Sequence, residues 1–127
     1  MATITEDYCD FETAKLLKEK GFDQNCATYY LDGQVWRHYH GEVIPKGKQI
    51  YAALTQAIAM KWLREVHNIY IFVYSFNREL PITENTFYTC DVATTKDSPM
   101  RGHLRGIWKT YEETVEAAIK YVLENLI

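Results

Sequence analysis

The stretch that decides the fold is ALTQAIAMKWLREVHNIYIFVYSF, residues 53–76. Its first half repeats apolar residues at steps of three and four, which predicts a helix with one buried face over Gln56–His67, capped by Thr55. Asn68 tolerates a left-handed backbone and can end this helix. The apolar run Ile69–Tyr74 then indicates a central strand covered on at least one side. The apolar stripe of the helix consists of Ile58, Ala59, Trp62, Leu63 and Val66.

Two further helices flank this centre. Asp10 can cap a helix over Phe11–Lys20, and Gly21 supplies the left-handed residue that follows its last turn. Near the C-terminus, Thr110 and Glu113 have the spacing of a capping box, which predicts the start of the last helix. That helix is expected to be a core element, because its apolar face is continuous. The face consists of Tyr111, Val115, Ala118, Ile119, Val122, Leu123 and Leu126.

The remaining patterns are typical of strands and turns. A two-residue Asp-Gly link at 32–33 predicts a hairpin in which Leu31 faces Gln34 and Tyr29 faces Trp36. Residues 86–94 are rich in strand-forming types, and 102–108 is a weaker third strand of that half. The expected class is therefore α+β, in the order α-β-β-α-β-β-β-α, with a mostly antiparallel sheet and helices packed on one face. The length of 127 residues indicates one domain, 1–127.

Composition narrows the function classes. The chain is 47% hydrophobic and 24% charged, as in ordinary globular proteins, and its net charge of −3 shows no overall basic excess for nucleic acid or an anionic membrane. Ten tyrosines raise the aromatic share to 14%. Tyrosine suits both sheet positions and binding interfaces, so both interpretations stand.

A cytoplasmic location is expected from three features. The start, MATITEDYCDFE, lacks the basic and apolar regions of an export signal. The longest apolar run, Ile69–Tyr74, is far shorter than the roughly 20 residues that span a bilayer. Cys9, Cys26 and Cys90 are odd in number and widely spaced, which favours free thiols in a reducing compartment.

Several segments carry a family resemblance. They are AKLLKEKGFD at 14–23, Thr55-Gln56-Ala57 leading to KWLRE at 61–65, Ile69-Tyr70-Ile71, and Tyr111-Glu112-Glu113 leading to AAIK at 117–120. On these segments the chain resembles a diffuse group of small uncharacterised proteins from phages and mobile elements of Bacteroides-type gut bacteria. Leu54 stands where that group usually has a proline before the Thr-Gln pair. The resemblance implies a phage or mobile-element origin, and it implies no catalytic residues or known activity.

Catalytic patterns are sparse. His38, His40 and Glu42 alternate along one stretch and could converge on a metal, but three residues of such short spacing are more typical of an ordinary sheet surface. No nucleophile elbow, phosphate loop, zinc-protease or dinucleotide pattern is present. A small enzyme with a cysteine or histidine at its centre is the third hypothesis, and no cofactor is expected.

One local charge asymmetry favours a nucleic-acid surface. The segment 96–109, KDSPMRGHLRGIWK, places cations next to an aromatic side chain, a combination that can bind phosphates and stack on bases. The residues concerned are Arg101, His103, Arg105, Trp108 and Lys109. The alternative is a solvated loop and edge strand, where cations discourage aggregation.

The sequence thus favours a non-enzymatic protein-interaction or regulatory accessory module. Its partner is expected to be a protein, with self-association through an aromatic sheet face as one form. The alternative is a nucleic-acid-binding accessory protein that uses segment 96–109. Neither a membrane nor a particular small molecule is indicated.

Overall fold

The computed structural model describes residues 6–22, 28–31, 34–37, 50–75, 86–94 and 106–127. These residues form three helices and five strands. In chain order the elements are α1 (Phe11–Glu19), β1 (Thr28–Leu31), β2 (Gln34–Arg37), β3 (Ile50–Ala52), α2 (Gln56–His67), β4 (Tyr70–Ser75), β5 (Tyr88–Ala93) and α3 (Tyr111–Asn125). The predicted α+β class is confirmed. The described order differs from the prediction in two respects: β3 precedes α2 and was not predicted, and the described part of the predicted third strand, residues 106–108, forms a single bridge and no strand.

The described strands form two antiparallel sheets. One has the order β2-β1-β3, and the other pairs β4 with β5. The predicted hairpin register is confirmed, since Leu31 pairs with Gln34 and Tyr29 with Trp36. The predicted strand at 102–108 is described only from residue 106, and there Trp108 forms a single bridge to Tyr88.

Local chemistry fixes the ends of α1. Asp10 accepts a hydrogen bond from the backbone N–H of Thr13 at 2.8 Å, as the predicted cap. At the other end the N–H of Phe22 bonds to the carbonyl of Leu17, and Gly21 adopts a φ of 102°. These are the bonds of a Schellman motif, in which a left-handed residue lets the chain turn back on the last turn. Phe22 is buried against the core as a result.

The caps of the other two helices also follow the sequence. Thr55 accepts a bond from the N–H of Ile58, and Asn68 ends α2 in the left-handed conformation with φ 56° and ψ 36°. Thr110 accepts a bond from the N–H of Glu113 at 3.1 Å, which caps α3. Each predicted cap is therefore confirmed.

The hydrophobic core is centred on α3. This helix lies against α1, α2, β4 and β5, and its inward residues are completely buried. They are Val115, Ala118, Ile119, Val122 and Leu123. Leu17 of α1 and Leu63 of α2 meet them in the same cluster. The predicted role of the last helix as a core element is confirmed.

The segment before α1 joins the first sheet to the core. The N–H of Cys9 bonds to the carbonyl of Leu54, and the N–H of Gln56 bonds to the carbonyl of Asp7. The hydroxyl of Tyr30 donates to the carbonyl of Cys9 at 2.7 Å. This segment therefore lies between β1 and the start of α2, and it holds α1 in place.

One expectation about a buried face was wrong in part, and one was confirmed. Ile58 and Val66 of α2 are 47% and 55% exposed, whereas Ala59, Trp62 and Leu63 of the same stripe are buried. The stripe is wider than the surface that α3 and β4 cover. Among the described strands β4 pairs with β5, and one of its faces packs on the core while Phe72 and Tyr74 are exposed, so the predicted cover on at least one side is confirmed.

Gly21 offers a direct test of the α1 terminus. We expect Gly21→Ala to lower the free energy of unfolding by about 1 kcal/mol, because a left-handed conformation disfavours a Cβ atom. Nothing lies within 4 Å of the place where that Cβ would be, so the loss reports backbone conformation and not a clash. Urea unfolding measures the change.

Gly21→Asn serves as the matched control. Asparagine tolerates the left-handed region better than alanine, so its loss should be the smaller of the two. Equal losses would contradict the assignment of the cost to φ.

Candidate protein-interaction surface

The strongest candidate site is the sheet formed by β4 and β5. Its register runs from the pair Tyr70–Ala93 at one end to the pair Ser75–Tyr88 at the other. Successive residues of a strand point to opposite faces, so each strand contributes alternate side chains to an inner and an outer face. The two faces have very different surroundings.

The inner face is anchored in the core. Ile71 and Val73 of β4 pack against the main hydrophobic cluster, and Cys90 and Val92 of β5 are buried at 2% and 0% exposure. The helix α3 lies against both strands. The sheet is therefore held rigidly from one side.

The outer face carries three aromatic side chains in line: Tyr70, Phe72 and Tyr74, which we call the outer aromatic row. Phe72 is 46% exposed and Tyr74 is 47% exposed. The rings of Tyr70 and Phe72 are stacked, with centroids 6.5 Å apart and planes 13° apart. Large aromatic side chains exposed on a rigid element are a common feature of binding surfaces.

The charge of this face is negative and small. Asp91 of β5 pairs with Phe72, and Thr89 pairs with Tyr74. Neither strand contains a lysine or arginine. An aromatic row beside a single carboxylate suits an apolar or weakly polar protein surface better than a phosphate backbone.

Two of the residues predicted for nucleic acid lie at the far edge of β5. Trp108 is half-buried and exchanges two backbone hydrogen bonds with Tyr88, at 2.7 and 2.9 Å. Its indole lies over Gly106, where a Cβ atom would come within 2.8 Å of it. Lys109 follows and is exposed. The indole therefore packs on its own chain, and Lys109 is the one cation of the predicted set that the structure describes.

The other predicted site residues lie outside the described residues. Arg101, His103 and Arg105 belong to this group, so the nucleic-acid hypothesis stays a prediction. The weak metal candidates His38, His40 and Glu42 belong to it as well. Within the described ranges, no three His, Cys, Asp or Glu residues are placed to hold a metal ion.

A polar cluster links α1 to α3. Of its residues, the sequence analysis identified only Asp10, as the cap of α1. Glu116 accepts hydrogen bonds from the N–H of Asp10 at 2.7 Å and from the hydroxyl of Thr13 at 3.1 Å. Asp10 in turn accepts from Lys120 at 2.6 Å and from the N–H of Thr13. Each of the four carboxylate oxygens thus has a donor, which is typical of a structural tie.

The environment separates the pKa values of these two carboxyls. Burial and the negative charge of Asp10 raise the pKa of Glu116 above its usual value, although hydrogen bonds from Asp10 and Thr13 oppose the shift. Burial also acts to raise the pKa of Asp10, but hydrogen bonds from Lys120 and Thr13 outweigh it and leave that pKa lowered. Such opposed shifts accompany acid–base sites. Here the oxygens are already engaged by the protein, so we assign the cluster to stability.

No local pattern could have pointed to Glu116. Its partner Asp10 is 106 residues away along the chain. The only sequence signal is the four-residue spacing of Glu116 and Lys120, which places both on one side of α3.

The described thiols are poorly suited to nucleophilic chemistry. Burial, with the charges of Glu116 and Asp10, strongly raises the pKa of Cys9, and burial together with Asp91 raises that of Cys90 to about 11. A thiol reacts as its thiolate, which both sites disfavour. Cys9 and Cys90 are free, as expected, and Cys26 lies outside the described residues.

His67 is the remaining group of chemical interest. It lies in the last turn of α2 against Trp62, with ring centroids 4.7 Å apart. Its Nε2 is buried and has no hydrogen-bond partner in the described part of the chain. Among the residues that the structure describes, no second ligand or carboxylate accompanies this imidazole as a metal or catalytic site would require.

Comparisons with protein-family models, with curated proteins and with solved structures find no match to this chain. The described helices include none that is long and apolar enough to cross a membrane. The candidate site therefore depends on its geometry alone.

The pH dependence of stability tests the Asp10–Glu116 cluster, because variants of the two residues should respond to pH in opposite directions. Because the folded state raises the pKa of Glu116, its contribution is complete below the usual value of 4.5 and is lost as pH rises through the folded pKa. Glu116→Gln cannot titrate, so its stability relative to the parent should increase as pH rises above 4.5. Asp10→Asn should show the reverse, losing stability relative to the parent above 3.8, where the ionised Asp10 stabilises the fold.

Urea unfolding between acidic and neutral pH measures both trends. Glu124→Gln removes an exposed carboxylate from α3 and controls for the loss of one negative charge. Asp10→Ala also removes the cap and should lower stability by about 1–2 kcal/mol. Parallel curves for Glu116→Gln and Asp10→Asn would contradict the assignment.

Proposed function

We propose that this chain is a non-enzymatic protein-interaction module, and that the outer face of the β4–β5 sheet binds its protein partner. One observation carries the proposal: an aromatic row with Phe72 and Tyr74 exposed and Tyr70 half-buried lies on a sheet whose other face packs against the core. A regulatory accessory role in the cytoplasm, in a protein of phage or mobile-element origin, is part of the same proposal.

The composition of the row suits protein recognition. Aromatic side chains bury a large apolar area with few rotatable bonds, and the hydroxyls of Tyr70 and Tyr74 can donate or accept hydrogen bonds at the rim. Residues of this kind carry much of the binding energy in protein interfaces. Asp91, beside Phe72, adds a carboxylate that favours a partner with a cation or a hydrogen-bond donor at the matching point.

Rigidity supports the same interpretation. The alternate residues Ile71 and Val73 are fixed in the core, so the backbone that presents Phe72 and Tyr74 is held in position before any partner arrives. A preorganised surface loses little conformational entropy on binding. The stacked pair Tyr70 and Phe72 is already arranged as a continuous apolar surface.

The alternative, a nucleic-acid accessory role, has less support from the described residues. A phosphate backbone is bound mainly by lysine and arginine, and the β4–β5 sheet has neither. Trp108 packs over Gly106, where its ring face is partly used by its own chain.

A displayed library of random peptides tests the proposed function. We expect the protein to select peptides that bind with micromolar affinity and that alternate apolar and polar residues, as a strand-like ligand would. The double variant Phe72→Ser/Tyr74→Ser should weaken their binding by about tenfold or more, because two large aromatic contacts are lost.

The matched control is Ile58→Ser/Val66→Ser, which removes two comparably exposed apolar side chains from α2. This variant should leave peptide binding unchanged. Selected peptides that lose affinity equally in both double variants would contradict the assignment to the outer face. Salt-sensitive binding to single-stranded DNA or RNA, unaffected by Phe72→Ser/Tyr74→Ser, would favour the alternative instead.

A further inference from the structure

The hydrogen bonds between Tyr88 and Trp108 show which backbone groups of β4 point toward β5 and which point away from it. Because Tyr88 exchanges both of its backbone bonds with Trp108, its N–H and C=O point away from β4. In an antiparallel pair this direction alternates from one residue to the next. The residues of β5 that bond to β4 are therefore Thr89, Asp91 and Ala93.

Their partners on β4 are the three members of the outer aromatic row. Ile71 and Val73 alternate with these residues, so their N–H and C=O groups point to the opposite side, at the outer edge of the sheet. None of these four groups has a hydrogen-bond partner in the portion of the chain that the structure describes. The edge of β4 thus presents a short row of alternating donors and acceptors.

Within Tyr70–Ser75 this edge has no charged side chain, no proline and no bulge. Proteins protect exposed edges with charged side chains, proline or a bulge. The strand YIFVYS has no charge and no proline, and its register with β5 is continuous over all six residues. An uncharged, regular edge of this kind is a template for one more strand.

We propose that the occupant of this edge is β4 of a second copy of the chain, paired antiparallel about a two-fold axis at Phe72. The inference rests on the proposed function, because it names the protein partner of the same site. In this register Ile71 of each copy pairs with Val73 of the other, and all four free groups of each edge are satisfied by the four of its mate. In a register displaced by two residues, Ile71 and Val73 no longer pair with each other, and one of them faces a residue other than these two.

The same register places compatible side chains opposite one another. Phe72 meets Phe72 of the second copy across the axis, and Tyr70 meets Tyr74, so every cross-strand pair on the outer face is aromatic. No two like charges face each other on the paired strands. The result is a four-stranded sheet, β5-β4-β4-β5, whose outer face carries both aromatic rows and whose inner faces stay in their own cores.

We expect the association to be weak and to strengthen with salt. A single six-residue edge buries less area than a standard stable interface, so a micromolar dissociation constant is expected. Each chain has a net charge of −3, and added salt screens the repulsion between two copies. Binding to nucleic acid would show the opposite salt dependence.

Sedimentation equilibrium and amide exchange test the proposal together. We expect a monomer–dimer equilibrium between about 10 µM and about 1 mM protein. The amides of Ile71 and Val73 should exchange rapidly at the low end of this range and become protected at the high end, since the second copy supplies their acceptors. Phe72→Lys should remain folded and monomeric, because it places two like charges directly opposite each other.

A disulfide trap checks the register. In a background with Cys26→Ser, Phe72→Cys should form a covalent dimer under mild oxidation, because opposed residues of a non-hydrogen-bonded pair have Cα atoms about 4.5 Å apart. Ile58→Cys, at an equally exposed position of α2, is the matched control and should cross-link far more slowly. Equal rates would overturn the proposal.

The outcomes separate this inference from the proposed function. A monomer throughout, with unprotected amides at Ile71 and Val73, would overturn the second copy as partner. Peptide binding that still depends on Phe72 and Tyr74 would then leave the protein-interaction role intact with a different partner. A dimer that persists in Phe72→Lys would also overturn the inference, because its interface would lie elsewhere.

Discussion

The structure depends on the burial of one helix, α3. Five of its apolar side chains are completely buried, and the helix contacts both other helices and both strands of the β4–β5 sheet. Burial of side chains of this size contributes on the order of 10 kcal/mol in gross terms, before the entropy of ordering the chain is subtracted. No other described element contacts so many of the rest. The positions of α1, α2 and the sheet are therefore set by a common neighbour more than by each other.

The same burial explains why β4 has two different faces. Its inward residues Ile71 and Val73 reach the cluster around α3, whereas Phe72 and Tyr74 point away from it. A strand that is apolar on both sides, yet covered on only one, leaves aromatic surface in contact with water. Exposed aromatic area of this kind is unfavourable in isolation and becomes favourable when a partner covers it. The proposed protein-interaction role rests on this imbalance.

What the sequence predicted well was local. The caps at Asp10, Thr55 and Thr110 and the left-handed Asn68 depend on side chains that bond to backbone groups within a few residues, so the necessary information lies in a short window. The pairing of Leu31 with Gln34 was predictable for the same reason, since a two-residue turn fixes the register.

What it missed was non-local. The three-residue strand β3 exists because it pairs with β1, and nothing within Ile50–Ala52 indicates that partner. Periodicity alone could not tell whether one face of β4 or both would be covered, because an apolar run looks the same in either case. The contact of Glu116 with Asp10 joins residues too far apart for any spacing rule. The sequence predicted an aromatic sheet face as the candidate surface, but it did not indicate which strands form that face.

The tie between Asp10 and Glu116 also has a consequence for biosynthesis. The amide of Asp10 and the hydroxyl of Thr13 obtain their acceptor only after more than a hundred further residues have been added. Until α3 has been synthesised, its contacts with α1, β4 and β5 are absent, and β4 lacks the part of its cover that α3 provides. Chains whose decisive contacts are distant in sequence fold slowly and present aggregation-prone segments in the meantime. For this protein the risk of aggregation during synthesis therefore lies in the interval before α3 packs on β4.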